Sequence, residues 1–366
     1  IGANVSYLNG FQTLIIAPTQ ILAQQHYKTI KKLFPKLKIA LITASRFLIP
    51  DSSHIFIGTH ALLHSKIDFT NVAFVVIDEQ HRFGVEQRAH LVKKSKSPHV
   101  LTMTATPIPR TIALTTYGDL DLSVLTDMPK GRLKITTWVV LEKKRSGAYK
   151  WINSQITDHY SQCFIVCPLI EQSEAETMKD IKNVTSEFMN LKSIFINLKL
   201  GLLHGRMKNK EKTQVLNGFR TGKIDILVTT PVVEVGIDIS NATIMVIEAA
   251  ERFGLAALHQ LRGRVGRSDK KSYCLLFTNI GGGNPFRRLK SMEKMHSGFE
   301  LSELDLKMRG PGEIFGTTQS GFPEFKVASW SNYELIKETR DLAEDVIKNP
   351  KTYPKLIQNL SQAIHT

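Results

Sequence analysis

Three cysteines in 366 residues cannot build a disulfide framework. None has Cys or His partners at zinc-ligand spacing, so Cys163, Cys167 and Cys274 read as buried, reduced thiols in or beside strands. No apolar run approaches the ~20 residues that cross a bilayer, and the first residues lack the charged-then-apolar pattern of a secretory leader. No membrane role is expected, and the cytoplasm is the expected compartment. An initiating Met is also missing; with Ile1 first, the chain is expected to be part of something longer. The absence with most chemical weight is a Gly-x-x-x-x-Gly-Lys-Ser/Thr phosphate loop. The only Gly-Lys pair, Gly222-Lys223, is followed by Ile224 and precedes a strand, so it cannot serve.

Positive charge, in contrast, is plentiful. Lys and Arg number 48 against 33 acids, a formal net charge of +15, and they are dispersed along the chain. A folded surface that basic concentrates polyanions, of which nucleic acid is the commonest in a cytoplasm. A solvated Lys-rich surface would show the same charge. The length suits two domains with separate cores plus a tail.

The organising stretch is Ala73-Phe74-Val75-Val76-Ile77-Asp78-Glu79-Gln80-His81. Its apolar run is β-branched and aromatic without alternation, which predicts a parallel strand buried on both faces. Two acids stand at its carboxyl end, where open α/β sheets bind ligands; there an Asp can hold Mg²⁺ and the next acid can orient an attacking water. A solvated acidic turn is the bland alternative. Similar units surround it. Thr13 to Thr19 is a strand ended by Pro18, Gln20 to Phe34 has helical spacing, and further strands run from Ile55 to His60 and from His99 to Pro107. Each places Thr, Gly or an acid at a strand end, where hydroxyls and free backbone N–H groups can hold phosphates.

Pro129-Lys130-Gly131-Arg132 breaks the pattern and marks a domain boundary. A second βα series follows: strands at Ser161 to Pro168, Leu202 to Met207, Ile224 to Thr230, Ala242 to Ile247 and Tyr273 to Phe277, with a helix from Lys210 to Arg220. Asp238 could reach a ribose hydroxyl or be an ordinary turn acid. Gln260-Leu261-Arg262-Gly263-Arg264-Val265-Gly266-Arg267 aims three arginines from a Gly-interrupted backbone that a surface helix would rarely tolerate. Directed at phosphates on the first domain, one would act as an arginine finger, worth roughly 10³–10⁵ in rate. Past the break at Gly281-Gly282-Gly283, a helix is expected from about Phe286 to Ser297, then a tightly folded Gly-rich segment from Asp305 to Gly321, then an amphipathic helix from Trp330 to Ile347.

Asp78-Glu79-Gln80-His81, Thr104-Ala105-Thr106 and Gln260 to Arg267 resemble motifs II, III and VI of superfamily 2 helicases. Ala17-Pro18-Thr19 resembles motif Ia, and Thr229 to Asp238 resembles motif V. Val166 to Glu174 and Asp305 to Gly321 are similar to the RecG family of bacterial ATP-dependent DNA helicases rather than to its relative, the transcription-repair coupling factor. The resemblance implies two RecA-like parallel-sheet α/β domains in tandem, residues 1–130 (lacking the Walker A loop) and 131–280, followed by a helical translocation segment and tail over 281–366. The phosphate loop and a DNA-gripping wedge domain would lie upstream. The stretch between Ile42 and Ile55 is shorter than the family pattern.

The roles implied are these. Asp78 holds Mg²⁺ through water, Glu79 orients the hydrolytic water, and Gln260, Arg264 and Arg267 complete the site. Gly236 and Asp238 join in binding ATP. Pro18, Thr19, Thr59, His81, Thr104, Thr106, Thr229, Arg309, Glu313 and Gln319 contact DNA or couple it to the site. The activity implied is ATP-dependent translocation on double-stranded and branched DNA, at replication forks and Holliday junctions. The chain would act as a monomer, with single-stranded DNA-binding protein as a further partner. Two alternatives stand: a translocase acting on stalled RNA polymerase, and a non-hydrolysing basic DNA-binding module.

Overall fold

A computed structural model of the chain describes residues 1–44, 46–50, 53–62, 69, 71–79, 98–105, 121, 123–125, 133–168, 174–231, 239, 241–267, 269–315 and 333–357. The boundary at Pro129 to Arg132 lies outside them.

The first sheet contains β1 (Gln12–Ile16), β2 (Ile39–Thr43), β3 (Arg46–Leu48), β4 (Ile55–Gly58), β5 (Val72–Asp78) and β6 (His99–Met103), in the order β3-β2-β4-β1-β5-β6. All pairings are parallel except that of β2 with β3. The apolar runs explain this. Leu14, Ile16, Ile42, Phe56, Val75 and Ile77 fill one face, while Ile15, Leu41, Ile57 and Val76 fill the other. Strands buried on both sides have no polar face to offer solvent. α1 (Gly2–Leu8) and α2 (Gln20–Leu33) pack on the second of these faces. Thr19 caps α2, its hydroxyl accepting from the Leu22 N–H at 3.4 Å.

The chain runs from β1 outward to β2 and β4, then crosses to β5 and β6 on the other side of β1. The strand ends of β1 and β5 therefore flank the topological switch point, the usual place for a ligand crevice.

The second sheet repeats this plan with β7 (Thr136–Leu141), β8 (Gln162–Val166), β9 (Leu200–Leu203), β10 (Ile226–Thr229), β11 (Ala242–Ile247) and β12 (Tyr273–Thr278), ordered β7-β12-β11-β8-β10-β9 and wholly parallel. α3 (Arg145–His159) and α4 (Glu174–Ile194) cover one face through Ile152, Ile156 and Leu191. The opposite face packs against α5 (Asn209–Arg220), α6 (Leu255–Arg262), α7 (Gly283–Lys294) and α8 (Gly298–Phe315) through Phe219, Leu258, Leu289 and Leu301. α9 (Tyr333–Lys348) follows. The helix α8 runs through Gly310, Pro311 and Gly312, residues that disfavour helix; burial of Leu301 and Leu306 outweighs their propensity.

The three cysteines are free and buried, and desolvation raises each thiol above its ordinary range. β7 lies at the rim of its sheet, where the Val139 N–H donates to Glu293 Oε1 of α7 at 2.8 Å. Among the described residues, no helix is long and apolar enough to cross a membrane.

Candidate functional site

Four strand ends meet along one edge of the first sheet. β1 delivers Pro18 and Thr19, β4 delivers Thr59, β5 delivers Asp78 and Glu79, and β6 delivers Thr104 and Ala105. The parallel register aligns Ile16 with both Gly58 and Ile77, and Asp78 with Met103, so these residues share one rim of the sheet.

Each of the two acids is held by its own partner. His26, from α2, places Nε2 at 2.7 Å from Asp78 Oδ2. Glu79 Oε2 accepts the backbone N–H of Ala105 at 3.1 Å, which ties motif II to motif III. Glu79 has a φ of +51°, a left-handed conformation that costs a non-glycine residue roughly 1–2 kcal/mol. Such strain persists where neighbours over-determine the geometry. Both carboxyl groups are half-buried.

Two hydroxyls at this rim serve local structure. Thr19 caps α2 as described, and Thr59 Oγ1 accepts the Ala61 N–H at 3.5 Å. A hydroxyl that accepts in a cap keeps its O–H as a donor. Thr104 is exposed. In the second sheet Thr229 is fully buried and its hydroxyl donates to the Thr230 carbonyl at 2.8 Å, so in this conformation it shapes the end of β10.

The Gly-interrupted arginine run ends α6. Gln260 is half-buried, Arg264 is buried, and Arg267 is exposed, with its Nε 3.5 Å from the Gly263 carbonyl. The glycines follow the helix rather than interrupt it. Gly266 has a φ of +70°, and a Cβ there would sit 2.9 Å from Ile135, so this turn requires glycine.

Arg262, the first of the three arginines, has a structural assignment. It is buried and donates to the carbonyls of Met292 at 2.9 Å and Met295 at 3.0 Å, clamping the end of α7 to α6. Asp305 of α8 completes this union from the other end of α6: its Oδ2 accepts the Leu255 N–H at 3.0 Å, and its Oδ1 lies 3.9 Å from Arg288 Nε of α7. Neither Arg262 nor Asp305 had been singled out for such a role by residue type, and His26 had no local signal beyond its place on a helix. His81, Thr106, Gly236, Asp238 and Gln319 lie outside the described residues. Arg309 and Glu313 lie on α8, and their side chains are outside the description.

A second charged cluster sits at the corresponding rim of the second sheet. Glu248, just past β11, is bonded to Arg145 of α3, with the Tyr149 hydroxyl at 3.5 Å. Burial pushes the Glu248 carboxyl up to about 7, with Arg145 opposing the rise.

Comparison with known proteins bears on all three parts of the chain. The DEAD/DEAH box helicase family matches residues 3–115, the helicase conserved C-terminal domain matches 148–269, and the family described as ATP-dependent DNA helicase RecG, domain 3, C-terminal, matches 295–359. The ATP-dependent DNA helicase RecG of Synechocystis sp. is 45% identical over 96% of this chain and 44% of its own length. That of Streptococcus pneumoniae is 44% identical over 91% of this chain and 51% of its own length. A structure of RecG bound to a three-way DNA junction aligns with a TM-score of 0.70 and 40% identity over 89% of this chain and 44% of that one. The chain thus spans about half the length of these relatives.

Proposed function

This chain belongs to the RecG family of superfamily 2 helicases, and on that premise we propose that it is the motor portion of an ATP-dependent translocase that remodels branched DNA. The observation that carries the reading is the acid pair at the switch point, each carboxylate held by a separate hydrogen bond and both facing the rim shared by Thr19, Thr59 and Thr104.

Mg²⁺ suits this donor set, because the ion keeps several waters and is bound by one or two carboxylates together with substrate phosphates. Asp78 would hold it and Glu79 would position the attacking water. Bound Mg²⁺ would neutralise charge developing on the transferred phosphoryl group. Arg267, exposed at the end of α6, is assigned as the finger, with Arg264, Gln260, Gly236 and Asp238 completing the ATP site. Arg309, Glu313 and Gln319 couple the site to DNA, together with the strand-end threonines, His81 and Pro18.

The net charge of +15 supports duplex DNA as the track, and the relative solved on a three-way junction supports branched DNA, at replication forks and Holliday junctions. The match over 295–359 favours this reading over a transcription-coupled translocase. Residues 1–130, 131–280 and 281–366 are assigned as first motor domain, second motor domain and translocation segment. The enzyme is proposed to work in the cytoplasm as a monomer, with single-stranded DNA-binding protein as a partner.

The test uses the full-length protein. Arg267→Ala is expected to lower DNA-stimulated ATP hydrolysis by roughly 10³-fold or more while fork binding stays near wild type. Equal loss of hydrolysis and binding would overturn the finger assignment. DNA affinity that falls with salt but ignores ATP analogues would instead mark a simple binding module.

A further inference from the structure

We propose that His26 is a positioning residue for the acid pair, fixing which oxygen of Asp78 faces the crevice and linking that choice to the turn at Thr19. The inference rests on the proposed role of Asp78 in holding Mg²⁺ and goes beyond it to a residue outside the motifs.

His26 occupies a helical position that should be apolar. It lies three residues after the buried Ala23 and four before Ile30, both of which pack on the sheet. An imidazole there is half-buried and requires a partner. The partner comes from 52 residues away: Asp78 Oδ2, at 2.7 Å. The tautomer with its hydrogen on Nε2 donates to this oxygen. With Oδ2 engaged, Oδ1 is the oxygen left to turn toward a hydrated metal.

Two tethers then bracket the left-handed residue in the site. His26 holds the side chain just before the φ of +51° at Glu79, and the Ala105 N–H holds the side chain of Glu79 itself. The first tether belongs to α2, whose cap is Thr19. A displacement of α2 by a ligand at its amino end would therefore be felt directly at Asp78.

Outer-shell partners of metal-binding carboxylates typically contribute 10–100-fold in metal affinity or activity. The experiment compares full-length wild type with His26→Leu, His26→Gln and Asp78→Asn, reading Mn²⁺ affinity by electron paramagnetic resonance in the presence of a non-hydrolysable ATP analogue, alongside thermal midpoints. His26→Leu is expected to weaken Mn²⁺ binding by roughly 10–100-fold, and His26→Gln, whose amide can still donate, to stay within about threefold of wild type. Unchanged Mn²⁺ affinity in His26→Leu, or equal impairment of the Leu and Gln variants together with a lowered thermal midpoint, would overturn the positioning role. If Asp78→Asn leaves Mn²⁺ affinity intact, the reading of the site itself fails; if only His26→Leu is silent, the failure is confined to His26.

Discussion

Asp305 Oδ2 receives the backbone N–H of Leu255 at 3.0 Å, so a side chain of α8 caps the helix that carries Gln260 and leads to Arg267. The residue at the cap itself, Gly254, has no side chain to do this. Asp305→Ala is expected to lower stability by about 1–2 kcal/mol, the usual cost of losing a cap, and Asp305→Asn, which keeps an acceptor, by less. Denaturant titration measures both. If α6 and α8 act as one body in the motor, Asp305→Ala will also depress DNA-stimulated hydrolysis more than DNA-independent hydrolysis.

Arg262 and Arg267 should separate cleanly. Removing Arg262 strips the donors from the Met292 and Met295 carbonyls at the end of α7, and a buried acceptor left without a donor costs ~1–3 kcal/mol. Arg262→Leu is therefore expected to lower the thermal midpoint markedly. Arg262→Lys should rescue little, because a point charge cannot replace a planar fork bonded to two carbonyls. Arg267→Ala, at an exposed position, should leave the midpoint near wild type.

The Glu248 and Arg145 pair predicts a pH response. Burial raises the folded-state carboxyl to about 7 from an ordinary 4.5. Between these values the folded protein retains a proton that the unfolded chain has released. The associated stability is full below the lower value and is lost as pH rises through the upper one, up to roughly 3 kcal/mol. Urea denaturation at pH 5 and pH 8 should show the wild type less stable at the higher pH, and Glu248→Gln should reduce the difference. Arg145→Leu should be far more damaging at pH 8, where it leaves a buried carboxylate uncompensated.

Gly58 closes β4 against β2. A Cβ there would stand 2.3 Å from the Ile42 carbonyl oxygen, the same oxygen that receives the Thr59 N–H at 3.2 Å. Gly58→Ala must push these strands apart at the rim of the first sheet. A loss of about 1–3 kcal/mol is expected, visible as a lowered thermal midpoint, with Thr59 displaced along with it.

Much of this was readable from residues alone because the informative strands advertise themselves twice, by an apolar run and by a polar residue at its end. β5 with Asp78 and Glu79, β1 with Pro18 and Thr19, and β10 with Thr229 are such cases. β2, Ile39 to Thr43, has both the run and a polar ending and is buried at all five positions, yet no strand is expected there from the sequence. β3 is only three residues long and exists through its pairing with β2, a tertiary circumstance. β7 opens on two threonines and is only partly buried, so it lacks a continuous apolar run. The partners of His26 and Asp305 lie 52 and 50 residues away, distances over which local periodicity carries no information. The glycines beside Asp305 signal a tightly folded segment and the family resemblance a helical one; the backbone is helical through Phe315, and Leu301 anchors that helix in the core shared with α6 and α7.

The bond from Val139 to Glu293 gives α7 a task besides covering the core. A rim strand with open amides is a template for any extended segment, including the same strand of another molecule. By engaging the Val139 amide, α7 obstructs that rim. Glu293→Ala, which leaves α7 packed on the sheet through Leu289 and Met292 but frees the Val139 amide, is the variant in which reversible self-association through β7 should appear.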